Sequence, residues 1–247
     1  MIPKVIHYCW FGGNPLPKSA QKCIESWRKY LPDYEIKEWN ESNFDVNIIP
    51  YTAEAYKAKK YAFVSDYARF WILYKYGGLY FDTDVEVIKN MDDIIAKGPF
   101  MGCENEAKAG ATPAQLGVAP GLGLGATPGL ELYKEILDDY DKSHFLKETG
   151  EYNMKTVVWR TVEILSNHGL LSVSSVQYIA GVYIYPKEYF CPKNYRTGQM
   201  IITQDTRSIH WYDASWVSKE RKIKNWLYDN KFTSPLMYFL RRTFLEK

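Results

Sequence analysis

The sequence predicts an α/β protein, and three observations carry that prediction. Residues 2–11 form a compact run of β-type residues that stops at Gly12-Gly13-Asn14-Pro15, a strong turn signal. A helical stretch follows from about residue 17 to Tyr30, ahead of Pro32, and residues 34–39 then alternate like a short strand. Strand, helix and strand in that order are how a parallel sheet with crossover helices begins. Third, residues from about 52 to 76 read as one long helix, with Thr52 as its cap and Gly77-Gly78 as its stop, and residues 79–88 resume as a strand interrupted by carboxylates.

The later elements follow the same logic. Residues 91–96 suit a short helix and residues 99–103 another strand. Residues 115–126 are small and glycine-rich, and Thr127-Pro128 is placed to start a helix running to about residue 142. Residues 152–167 read as helical, 173–190 carry β-type residues, and 207–217 form a further strand or loop. Residues 219–247 read as two short helices split at Ser234-Pro235.

Composition narrows the function classes. Lys and Arg total 31 against 29 Asp and Glu, which leaves a formal charge of +2 and argues against a dedicated nucleic-acid binder. The chain is 46% hydrophobic and 24% charged, as a folded domain is. Four cysteines at 9, 23, 103 and 191 lack metal-site spacing, so reduced thiols are expected. No signal-type N-terminus and no apolar run of about 18 residues occurs, so a cytosolic protein is expected. Residues 219–247 hold eight basic against three acidic residues, interleaved with aromatic and aliphatic ones. That mixture suits an anionic membrane surface as well as it suits a helix packed on the main domain.

The sharpest chemical signal is Tyr76-Gly77-Gly78-Leu79-Tyr80-Phe81-Asp82-Thr83-Asp84. A helix stops at the glycines, an apolar strand follows, and Asp82 and Asp84 appear where that strand leaves the core. Carboxylates so placed can hold a hard divalent cation and leave positions for diphosphate oxygens. The chain contains its own control, because Asp139-Tyr140-Asp141 has the same spacing near the end of an amphipathic helix. That copy reads as a solvated helix end.

In the long helix, Ala62, Asp66, Arg69 and Leu73 fall on one stripe at about 100° per residue. Asp66 and Arg69 are then either a buried structural ion pair or the lining of a ligand cleft. The first strand delivers Trp10 to its carboxyl end, where an aromatic ring is either core or a platform for a nucleobase. Late in the chain, His210 stands near Asp213 and Ser215, without the elbow motif of a hydrolase. His210 is either structural or a ligand completing a metal site begun by Asp82 and Asp84. The Gly117–Gly125 run has neither P-loop nor dinucleotide-fingerprint spacing, and reads as room for close approach by a ligand or a neighbouring element.

Three ordered blocks together resemble a known family: Ile2-Pro3-Lys4-Val5-Ile6-His7-Tyr8-Cys9-Trp10, then Ser65-Asp66-Tyr67-Ala68-Arg69, then Tyr76 through Asp84. They look like the glycosyltransferases of family 32, whose members include capsular polysaccharide synthesis enzymes and initiating mannosyltransferases. More distantly they resemble the glucosylating domains of large clostridial toxins. The match covers about residues 1–90 and thins afterwards, with residues 210–216 as the remaining anchor. It implies a single GT-A (Rossmann-like) domain, here residues 1–217, with residues 218–247 as a basic amphipathic helical appendage.

The resemblance also implies site roles. Trp10 would stack on the donor base, and Asp66 and Arg69 would hold the transferred sugar or ribose. Asp82 would contact ribose or the metal's water, and Asp84 would ligate Mn²⁺ or Mg²⁺. His210 would approach metal or diphosphate, with Asp213 competing for that position, while Ser215 and Trp216 would touch the leaving diphosphate. The expected reaction is metal-dependent, retaining transfer of a hexose from a nucleotide-sugar, UDP-linked first and GDP-mannose second. No second carboxylate stands out as a nucleophile, so front-face attack is expected. The expected acceptor is a surface-polysaccharide or lipid-linked glycan at the inner face of a bacterial membrane. Two other classes fit the residues less well: a nucleotidyl or phosphoryl transferase, and a non-catalytic nucleotide-sugar or glycan binder.

Overall fold

The computed structural model describes residues 1–108, 110–195 and 197–213. In chain order the strands and helices are β1 Val5–Cys9, α1 Lys18–Tyr30, β2 Glu35–Trp39, α2 Pro50–Lys57, α3 Tyr61–Tyr76, β3 Gly78–Tyr80, β4 Val85–Val87, α4 Asp92–Ile95 and β5 Phe100–Gly102. After a 3₁₀ turn at Pro113–Gln115 come β6 Leu124–Ala126, α5 Glu131–Asp141, α6 Val157–Asn167, β7 Gln177–Ile179, β8 Val182–Tyr185, α7 Lys187–Phe190 and β9 Ser208–His210. The main sheet has seven strands in the order β2-β1-β3-β6-β5-β8-β7, and β4 pairs with β9 in a separate two-stranded ribbon.

The predicted α/β class and parallel opening hold. β1 pairs in parallel with β2 from Val5↔Glu35 to Cys9↔Trp39, and in parallel with β3 on its other side. Strand alternation feeds two cores, one on each face. Ile6, Tyr8 and Leu79 pack with Ile24 and Trp27 of α1. Cys9 and Tyr80 pack with Phe63, Val64 and Phe70 of α3 and with Tyr133 and Ile136 of α5. Trp27 is fully buried, and its indole donates to the Val85 carbonyl at 2.8 Å. The Val87 N–H donates to Ser26 Oγ at 2.9 Å, so α1 pins β4 where the main sheet has released it.

Several boundaries differ from expectation, each for a local reason. The long helix is two helices. Lys59 turns left-handed at φ 56°, its N–H reaching Tyr56 O, while the Lys60 N–H reaches back to Ala55 O. That bonding is a Schellman C-cap made without glycine, so the sequence carries no stop signal there. Pro50, not Thr52, opens the first of the two helices, with Ile49 as its N-cap. The strand expected over 79–88 is likewise two strands in different sheets, because the Val85 N–H bonds Asp82 O and closes a turn between them. Helix α5 starts at Glu131, not at Thr127-Pro128, after Gly129 takes φ +74° and bonds its N–H to Tyr74 O. Helix α6 starts at Val157, where the Thr156 side chain accepts the Trp159 N–H at 3.3 Å. The expected segment 218–247, and residues 214–217 with it, lie outside the described residues.

Candidate functional site

Strands β1, β2, β3, β5 and β8 all run in one direction, since β3 and β5 are each antiparallel to β6 between them. Their carboxyl ends therefore share one edge of the sheet, which is where ligands collect in open α/β sheets. Trp10 follows β1 at that edge, and Asp82 follows β3. Helix α3 leads back into β3, so its first half, with Asp66 and Arg69, lies beside them.

Arg69 joins the two halves of the motif. One guanidinium nitrogen is 2.9 Å from Asp66 Oδ1 and 3.3 Å from Asp82 Oδ1, while Nε donates to Ser65 O at 3.1 Å. Its guanidinium lies 5.0 Å from the centre of the Tyr80 ring, whose hydroxyl donates to Asp82 Oδ1 at 3.1 Å. Arg69 is 4% exposed, so the charge-assisted contacts act where water screens them little. Burial pushes the Asp66 carboxyl up to about 6, Arg69 opposing and the Asp82 charge adding to the rise. Burial alone would weaken the charged form of Arg69, but Asp82 and Asp66 outweigh it and hold the cation firmly protonated.

Asp84 faces the other way from the turn. Its Oδ1 is 3.2 Å from His210 Nε2, and its Oδ2 accepts the Asp213 N–H at 3.0 Å. The pairing Val85↔His210 in the ribbon sets this contact, and the Trp211 indole donates to Glu86 Oε2 at 2.8 Å to lock it. Burial works against the Asp84 anion, but the His210 hydrogen bond and charge, with the Asp213 N–H, hold it below the usual carboxylate range. Burial likewise opposes the His210 cation, and Asp84 overrides it, pushing His210 up to about 10. The His210 ring also lies 4.1 Å from the Tyr212 ring.

Among the described residues, no three His, Cys, Asp or Glu side chains converge as a metal site. Asp84 and His210 nevertheless form an oxygen–nitrogen donor pair. Such a pair fits part of the sphere of a divalent cation, the remainder falling to diphosphate oxygens and water. Asp82 sits with Arg69 and acts on His210 through its charge. Trp10 is half-buried, and its indole N–H is taken by Asn14 O at 2.6 Å, so its ring is what it can offer a ligand. Ser215 and Trp216 lie outside the described residues.

The glycine run serves a neighbouring element. A Cβ on Gly121 would lie 2.0 Å from Asp82 Oδ2, and Gly121 O accepts the Asp82 N–H at 3.1 Å. The second Asp-x-Asp copy is only partly solvated, which corrects the expectation for it. Asp139 pairs with Arg160 of α6, a buried side chain lying 4.3 Å over the Tyr140 ring, while Asp141 is exposed. Sequence reasoning missed Glu104, which follows β5 at the same edge. Burial raises its pKa against the opposing His210 charge. The available signal was a carboxylate ending a short apolar strand, as at Asp82.

Residues 17–101 match the family described as "Glycosyltransferase sugar-binding region containing DXD motif". The chain is 33% identical over 98 residues to inositol phosphoceramide mannosyltransferase 3 of Schizosaccharomyces pombe, covering 38% of this chain and 27% of that one. It is 35% identical over 106 residues to the uncharacterized glycosyltransferase L373 of Acanthamoeba polyphaga mimivirus, covering 40% and 42%. The chain spans less than half the length of these curated relatives. A solved glycosyltransferase involved in glycosylation of the major capsid of PBCV-1 is 15% identical with a TM-score of 0.48, covering 90% of this chain and 98% of that one. The matched residues 17–101 hold Asp66, Arg69, Asp82 and Asp84.

Proposed function

We propose that this chain is a metal-dependent, retaining glycosyltransferase that moves a hexose from a nucleotide-sugar to a hydroxyl of a glycan or lipid-linked glycan. The observation that carries the reading is Arg69 holding Asp66 and Asp82 together at the strand ends, beside the Asp84–His210 pair and inside the matched region. UDP-hexose is the first candidate donor. A relative named a mannosyltransferase keeps mannose, and hence GDP-mannose, second.

A divalent cation, when bound, supplies positive charge to the departing diphosphate. Asp84 and His210 are the residues that would hold it, with Mn²⁺ ahead of Mg²⁺ because of the imidazole donor. Arg69 has two carboxylate partners already, which supports a positioning role: it fixes Asp66 and Asp82 as acceptors for sugar or ribose hydroxyls. Trp10 offers its ring to the base, Ser215 and Trp216 are kept as diphosphate donors, and Asp213 remains the rival to His210. Front-face attack by the acceptor hydroxyl is the proposed route. The appearance of a covalent glycosyl adduct on Glu104 or Asp66 would refute it.

The composition of residues 218–247 supports work at the inner face of a bacterial membrane, which co-sedimentation with phosphatidylglycerol vesicles tests. Among the described residues, no helix is long and apolar enough to cross a membrane. The first experiment is nucleoside diphosphate release from a panel of nucleotide-sugars, with Mn²⁺ and with EDTA. Metal-dependent release from one donor, lost in Asp84→Ala, is expected. Binding of UDP or GDP without release would favour a non-catalytic binder, and release of sugar 1-phosphate would favour a nucleotidyl transferase.

A further inference from the structure

The same edge of the sheet carries a cavity, farther along than the Asp66–Arg69–Asp82 cluster. Strands β5 and β8 pair in parallel, and the loops after them wall a groove of about 330 Å³. Asn105, Glu106 and Leu116 come from the loop after β5, and Lys187 opens α7 after β8. The third wall is the hairpin of residues 193–195 and 197–200, closed by the Asn194 N–H on Gln199 O at 2.8 Å, with Ile201 beyond it. At about 4.8 Å per strand, the end of β5 is about 10 Å from the end of β3, and the end of β8 about 14 Å.

The groove and the candidate metal pair share a wall. Tyr195 of the hairpin lies 5.8 Å from the Tyr212 ring, which lies 4.1 Å from His210. Lys193 Nζ donates to Trp211 O at 3.0 Å, and Cys191 Sγ is 2.9 Å from the Tyr212 hydroxyl. A ligand in the groove is therefore close to the cluster around Asp84.

The lining selects a chemistry. Amide and carboxylate groups of Asn105, Glu106, Glu188 and Gln199 can each meet neighbouring hydroxyls. Lys187 stands 4.0 Å from Glu106, so its charge is partly met within the groove. Leu116, Pro186, Pro192 and Ile201 supply apolar surface for the C–H face of a sugar ring. We propose that this groove, walled by the ends of β5 and β8 and the hairpin of residues 193–195 and 197–200, is the acceptor subsite and takes a polyhydroxylated carbohydrate. The inference rests on the reading under Proposed function and deepens it by naming where the acceptor sits.

The test uses full-length protein with nucleoside diphosphate and Mn²⁺ and a probe panel of p-nitrophenyl hexosides and lactose. Saturation-transfer NMR reads glycoside binding, and product analysis reads the ratio of transfer to donor hydrolysis. Wild type is expected to saturate at least one glycoside. In Gln199→Trp, which fills the groove from an exposed position, that saturation disappears and the transfer-to-hydrolysis ratio falls about tenfold. Asn105→Trp, on the opposite wall, repeats the test and guards against a fold defect in either variant.

Persistence of donor hydrolysis with no glycoside bound, or with an unchanged ratio in both variants, overturns the groove assignment alone. Donor turnover stimulated by a hydroxyl-bearing peptide and by no glycoside overturns it as well. Absence of both nucleotide binding and release in wild type overturns the underlying glycosyltransferase reading.

Discussion

Asp82-Thr83-Asp84 bends between strands of two sheets, whereas Asp139-Tyr140-Asp141 closes helix α5. The turn splits its carboxylates between two partners, Arg69 for Asp82 and His210 for Asp84. The helix end sends Asp139 to Arg160 and leaves Asp141 in solvent. Identical spacing thus produces a link between two sheets in one place and a tie between two helices in the other. The backbone around the pair decides, because it fixes which neighbours each carboxylate can reach.

Four measurements sharpen or break that contrast, from the largest expected effect down. Asp84→Asn should lower metal-dependent nucleoside diphosphate release by about 10³-fold, since it removes charge stabilisation at the leaving group. Asp141→Asn should stay within about twofold of wild type on the same assay. Equal losses in both would erase the distinction between the two segments.

Arg69→Met leaves Asp66, only 13% exposed, without its cation, while Asp82 can partly hydrate, and should cost about 3 kcal/mol in denaturant unfolding. Arg160→Met should cost less, about 1–3 kcal/mol. Its partner Asp139 is 39% exposed and can hydrate, and two Arg160 nitrogens have no protein hydrogen-bond partner to lose. A larger loss for Arg160 would mean that the helix tie matters more to the fold than the site does.

His7 shows a third way of handling a buried titratable group. Burial lowers its pKa from 6.5 to about 4, with Lys37 adding to the effect and the Gly77 carbonyl opposing it. Its ring accepts the Trp39 indole N–H at 3.0 Å and donates to Gly77 O at 3.0 Å, as the neutral form should. The folded-state value lies below the unfolded one, so this stability is present above about pH 6.5 and disappears as pH falls through about 4. About 3 kcal/mol should vanish across that window in wild type and be absent from the pH dependence of His7→Gln.

Gly121→Ala should raise the nucleotide-sugar Kd about tenfold, or about 1.4 kcal/mol, because its Cβ would displace the Asp82 carboxylate. Gly129→Ala meets nothing within 4 Å and should leave that Kd unchanged, at a stability cost of about 1 kcal/mol for its φ of +74°. Titration of nucleoside diphosphate with Mn²⁺ separates the two.

What was legible in the sequence was local. The stripe carrying Asp66 and Arg69 follows from helix geometry, which places i and i+3 side by side. The parallel opening of β1, α1 and β2, and the delivery of Trp10 and Asp82 to strand ends, follow from turn signals and alternation. The tertiary structure decided the rest. It broke the long helix at Lys59, where hydrogen bonding replaced the glycine that would have announced a stop. Ribbon register Val85↔His210 brought His210 to Asp84, and the order of strands set Glu104 and the β5–β8 groove at the same edge as the DXD turn. Those contacts join residues far apart in the chain, and only packing and register, not local preference, can specify them.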